Sequence, residues 1–159
     1  MKAKYINPFI VATNEVFTKS LSCAVTRTQL FATKNFNPLF DVTGIIGMSG
    51  TAEGCVAISL SRDVAIQATA WMTQEAPPAE INEDVADAVG EIANMIAGSS
   101  RADLAQDQLK ITLPTVKIGK SFLIDFPAKS FPICIGFDSD WGPLALQVGL
   151  QAMDEVRSE

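Results

Sequence analysis

Ile81-Asn82-Glu83-Asp84-Val85-Ala86-Asp87-Ala88-Val89-Gly90-Glu91-Ile92-Ala93-Asn94-Met95-Ile96-Ala97-Gly98-Ser99 opens the longest helical pattern in the chain, which runs from about residue 81 to 106. At about 100° per residue, Ile81, Val85, Ala88, Val89, Ile92, Ile96 and Ser99 gather on one side as a core-facing stripe. Asp87, Glu91, Asn94 and Gly98 fall roughly 180–240° away from Val85, in a row spaced i, i+4, i+7 and i+11. A polar outer face by itself says only that a helix is amphipathic. This row goes further, because Asn94 and Gly98 are both poor helix formers and Gly98 costs about 1 kcal/mol relative to alanine. It also lacks the lysines with which a merely solubilising face forms i,i+4 pairs. A glycine on the solvent side gains nothing in a core, yet it lets another backbone come close. The row reads as a docking surface.

Outward from this helix, strands are expected in two runs. Before it, residues 24–32 and 40–48 are rich in Val, Thr, Ile and Phe, and Cys55–Leu60 continues as a strand after a turn at Ser49–Gly54. Gly44, Gly47, Gly50 and Gly54 have neither P-loop nor dinucleotide-fold spacing and read as turns and bulges. Ser61 is placed to cap a helix over 62–74, which Ala76-Pro77-Pro78-Ala79 stops. At the N-terminus, Asn7 as cap and Pro8 at the first helical position predict a helix over 7–21. After the long helix, strands are expected within 109–118, 121–126 and 131–137, then a turn at Asp138–Gly142, a strand over 143–150 and a polar tail. Asp138-x-Asp140 lacks further ligands at metal-binding spacing and reads as a β-turn. The order is roughly α-β3-α-α-β3, an α+β domain in a single unit over residues 1–159, with a mixed or antiparallel sheet packed against long helices.

Composition removes whole classes of function. Of the 159 residues 48% are apolar and 19% charged, the reverse of a disordered chain. The net charge of −6 repels phosphodiester backbones and anionic lipid, so neither nucleic acid nor membrane is expected as a partner. There is no histidine, which eliminates Ser–His and Cys–His nucleophiles and every histidine-containing metal site. Cys23, Cys55 and Cys134 form an odd set without a CxxC and read as reduced core thiols of a cytoplasmic protein. No targeting peptide or spanning segment is recognised in the sequence. A mean hydropathy of +0.22 is high for a soluble monomer and points to apolar surface covered by a second copy or a partner.

The string Asp87-x3-Glu91-x2-Asn94-x3-Gly98, set in Val89-Gly90-Glu91-Ile92-Ala93-Asn94-Met95-Ile96-Ala97-Gly98, resembles the signature helix of the CheC/CheX chemotaxis phosphatases. The element order is similar to theirs over nearly the whole chain, with Pro114 about twenty residues beyond the asparagine. One such helix, where CheC-type proteins carry two, matches the CheX branch. The resemblance implies a phosphatase that hydrolyses the aspartyl phosphate of a CheY-type response-regulator receiver domain in chemotaxis or other two-component signalling. It assigns Asn94 to the attacking water, Glu91 to the receiver lysine, and Asp87 and Gly98 to partner contact. It implies no metal or cofactor of the chain's own, Mg2+ coming with the receiver, and it implies pairing of two copies, so that together with the high hydropathy a homodimer is expected. The alternative is a non-catalytic module that docks a phosphorylated receiver or a flagellar-switch protein through the same helix.

Overall fold

The computed structural model describes residues 3–153; the last strand runs on to Ala152, and the expected polar tail beyond residue 153 lies outside the described residues. Seven antiparallel strands form one sheet in the order β1-β6-β7-β3-β2-β4, with β5 also on β2. The strands are β1 (Val25–Ala32), β2 (Val42–Gly50), β3 (Ala52–Leu60), β4 (Leu109–Ile111), β5 (Thr115–Ile118), β6 (Ile133–Ser139) and β7 (Gly142–Ala152). Three helices, α1 (Ala3–Glu15), α2 (Arg62–Thr73) and α3 (Glu83–Gln106), cover one face. The expected α+β order and two strand runs are present, and the sheet is purely antiparallel.

Alternation along the central strands explains this layering. Leu144, Leu146, Val148 and Leu150 of β7, with Val56, Ile58 and Leu60 of β3, are buried in the core shared with the helices. The opposite side of the same strands carries small residues, among them Cys55, Ala57, Ser59, Ala145 and Gly149. Segments 33–41 and 119–132 lie over that side. Phe122, Ile124 and Phe126 pack on Cys55 and Ala57, and a Cβ at Gly149 would collide with the Phe126 ring.

Several local expectations need correction. α1 already includes Ala3, so Asn7 is not its cap and Pro8 lies inside it. Burial of Tyr5 and Ile6 against the core outweighs the hydrogen bond that Pro8 cannot donate. The helix then ends in one π-helical turn, Val16–Ser20, in which the Leu21 N–H donates to the Val16 carbonyl at 3.1 Å. Ser61 holds the cap position of α2, but its hydroxyl makes no cap bond and is buried without a partner. Asp41 performs that task from outside, its Oδ2 accepting from the Arg62 N–H at 2.9 Å. The β2–β3 turn is tighter than expected, since Met48 and Gly54 already pair. Gly50, the last residue of β2, and Gly54, near the start of β3, do have positive φ, of 115° and 148°, whereas Gly44 and Gly47, in the body of β2, mark close packing. The residues 121–126 form no strand: the Phe126 N–H turns back to the Ile124 carbonyl at 2.8 Å.

Candidate functional site

α3 opens at Asn82, whose side chain accepts from the Val85 N–H at 3.1 Å, and Glu83 and Asp84 complement its N-terminal partial charge. Its inner face is made of small and branched residues: Val85, Ala88, Val89, Ile92, Ala93, Ile96, Ala97, Ser100 and Leu104 are buried. Ser99, expected among them, is exposed, because the stripe drifts around the helix toward Ala97 and Ser100 in its last turns. The small residues let the helix lie low on the sheet. A Cβ built on Gly44 of β2 would stand 2.8 Å from the Ala93 Cβ, so glycine beneath alanine sets the helix–sheet spacing. With that side locked down, the opposite row has one orientation available.

Asp87, Glu91, Asn94 and Gly98 are all exposed, as expected. Asp87, Glu91 and Asn94 share one open groove of about 410 Å³ with Ala86, Gly90, Leu113, Pro114 and Val116. Gly98 lies further along α3, in a second hollow lined by Glu15, Val16, Lys19, Ser20, Met95 and Ser99. Nothing stands within 4 Å of a Cβ built on Gly98. The helix row is therefore bordered by the β4–β5 segment toward its N-terminal half and by the π-helical turn toward its C-terminal half.

The groove residues on β5 and its approach were not identified as a set from the chain. Pro114 carries a weak signal, as the proline beyond the asparagine. Gly90 carries another: it is a helix glycine off the exposed row, and a Cβ there would stand 3.3 Å from the Val116 Cγ2. It lets β5 approach α3 and forms the floor of the groove. Two carboxylates and an amide open to solvent can grip a cation and hold a water, with no nucleophile or base of the serine- or cysteine-hydrolase kind beside them.

The cysteines do not contribute. Cys23, Cys55 and Cys134 are buried and unbridged. Burial, then the nearby Asp125 charge, pushes the Cys55 thiol from its ordinary 9.0 up to about 12, and burial raises Cys134 to about 11. Asp140 serves the turn, its Oδ2 accepting from the Ala24 N–H at 2.9 Å. Among the described residues, no three Cys, Asp or Glu side chains gather as a metal site, and no described helix is long and apolar enough to cross a membrane.

The fold is that of the CheC-like superfamily. A CheC-like superfamily protein from Shewanella sp. PV-4 superposes with a TM-score of 0.83 at 25% identity, over 96% of this chain and 100% of that one. CheX from Vibrio vulnificus gives 0.81 at 28% identity, over 93% and 99%. A third similar fold, at 0.74 and 21% identity over 92% and 97%, is CheX from Borrelia burgdorferi in a complex with CheY, BeF3 and Mg2+. No curated protein matches the sequence. The chain belongs to the CheX family: the family model described as "Chemotaxis phosphatase CheX" matches residues 42–138, a span that contains α3 and Pro114.

Proposed function

We propose that the protein hydrolyses the aspartyl phosphate of a CheY-type receiver domain, with Asn94 holding the attacking water and Glu91 gripping the receiver lysine. The observation that supports this most directly is the grouping of Asp87, Glu91 and Asn94 in one open groove on the outer side of α3. Family membership and the CheY-bound state of the Borrelia CheX point the same way.

The chemistry asks little of the second protein. A water oxygen forms the new bond to phosphorus as the bond to the aspartyl oxygen breaks, giving inorganic phosphate and a free carboxylate. The carboxylate is a good leaving group and needs no acid, since its own pKa is near 4. The proton released by the water passes to a phosphoryl oxygen or to solvent. Mg2+, supplied with the receiver, neutralises the transferring group. The amide of Asn94 orients the water through its oxygen and NH2 without placing another anion beside the phosphoryl group. Glu91, one turn away on the same face, is within reach of a lysine that also serves the phosphoryl group, which fixes the docking register. Asp87 flanks it as a further contact, and bare backbone at Gly98 permits close approach. We infer a cytoplasmic location for the protein, beside its receiver.

The test is the lifetime of a phosphorylated CheY-type receiver with and without the protein. A shortened lifetime supports hydrolysis. Binding with an unchanged lifetime instead supports the non-catalytic docking module.

A further inference from the structure

β4 and β5 both pair with β2, but their registers differ by one residue. Between the Met48–Ile111 and Ile45–Thr115 pairs, β2 contributes Ile46 and Gly47, whereas the facing chain contributes Thr112, Leu113 and Pro114. The extra residue is a β-bulge, a device that re-aims a side chain and is common beside functional sites. Its backbone is held from both ends. The Thr112 N–H donates to the Gly47 carbonyl at 3.0 Å, and the Thr112 hydroxyl accepts from the Gly47 N–H at 2.9 Å. Pro114 fixes its own φ and has no N–H to leave unpaired.

Between these two supports Leu113 stands 77% exposed, and it lines the same groove as Asp87, Glu91 and Asn94. It is not a lone surface leucine. Pro114 and Val116 line the groove with it, and Ile118, on the same strand face as Val116, is 54% exposed. An apolar lane thus runs along the β5 side of the row of acids and amide. The backbone on either side of Leu113 is held before any partner arrives, so presenting the side chain costs little backbone freedom.

We propose that Leu113 is a positioning residue that seats the receiver on α3 by packing against an apolar patch bordering the receiver's phosphorylation pocket. The proposal rests on the function proposed above. Charge matches on one lane, two carboxylates facing a lysine, while apolar surface matches on the other, and together they set which way round the receiver docks.

Single-turnover dephosphorylation of a CheY-type receiver, followed against protein concentration, separates docking from chemistry. Leu113→Ser is expected to raise the half-saturating concentration about tenfold or more with the maximal rate largely kept. Leu113→Met should restore it. Leu123→Ser, another leucine 66% exposed but on the far side of the sheet, should leave it unchanged, and all three should melt with the wild type. An unchanged half-saturating concentration in Leu113→Ser overturns the proposal, as does a loss confined to the maximal rate. Should Leu113→Ser melt early, Leu113→Gln decides: normal melting with weakened docking supports the proposal, and normal melting with wild-type docking overturns it. A wild-type protein without phosphatase activity overturns the proposed hydrolysis, not this inference. Binding to a receiver carrying beryllofluoride and Mg2+ then reads Leu113 directly, with weakened Leu113→Ser binding in support and equal binding against.

Discussion

Gly98 shows how a single residue separates folding from function. It sits inside α3, costs about 1 kcal/mol of helix stability, and has nothing within 4 Å of where a side chain would begin. Gly98→Ala should therefore raise stability by up to about 1 kcal/mol, read from chemical denaturation. Gly98→Leu should remain folded and yet weaken receiver binding, because its side chain fills the approach side. A wild-type affinity for the leucine variant would remove Gly98 from the docking surface. Glu91 is exposed in the same way, so Glu91→Ala should change stability by less than about 0.5 kcal/mol. Its loss should appear instead as weaker receiver binding with a shallower salt dependence, measured by titration at two ionic strengths.

At the scale of elements, the decisive contact is α3 on β2. Gly44 beneath Ala93 leaves no room for a methyl group, so Gly44→Ala should cost about 1–3 kcal/mol and lift the helix from the sheet. A thermal melt unchanged by that substitution would contradict the packing. α3 was legible in the chain because its apolar stripe and its outer row agree, whereas its Asn82 cap emerged only from the structure, and the edge of the stripe is where sequence failed. Ser99 looked internal because an ideal 100° step was carried through eighteen residues without the drift that buries Ser100. Phe122, Ile124 and Phe126 alternate like a strand, but alternation records burial on one side, not a hydrogen-bonded neighbour; here the segment lies flat on the sheet. Pro8 matched a helix-start rule whose competitor, burial of Tyr5 and Ile6, is a tertiary effect. Leu113 stayed hidden for a similar reason. A bulge is set by two registers on β2, and neither can be read from the residues around Leu113 alone.

For the whole molecule, β1 ends the sheet with its outer edge unpaired among the described residues, and seven of its eight residues are exposed, Leu30 to 58%. Such an edge invites pairing with a second copy, and we expect a homodimer joined there, with α3 free on each protomer. Light scattering should give about twice 17.0 kDa at micromolar concentration; a monomer would exclude it. Alkaline pH offers a second global readout. Cys55 titrates near 12 and Cys134 near 11 in the fold, against 9.0 when exposed. Below about pH 9 both thiols are protonated in either state and the fold loses nothing. As pH rises from there through 11 and 12, the unfolded chain ionises first, so stability should fall across that window in denaturant titrations. The central claim is that Asn94 holds the attacking water. Asn94→Ala should fold normally and bind a beryllofluoride-loaded receiver like the wild type, while single-turnover dephosphorylation slows on the order of a hundredfold. Dephosphorylation by Asn94→Ala at the wild-type rate would contradict the account.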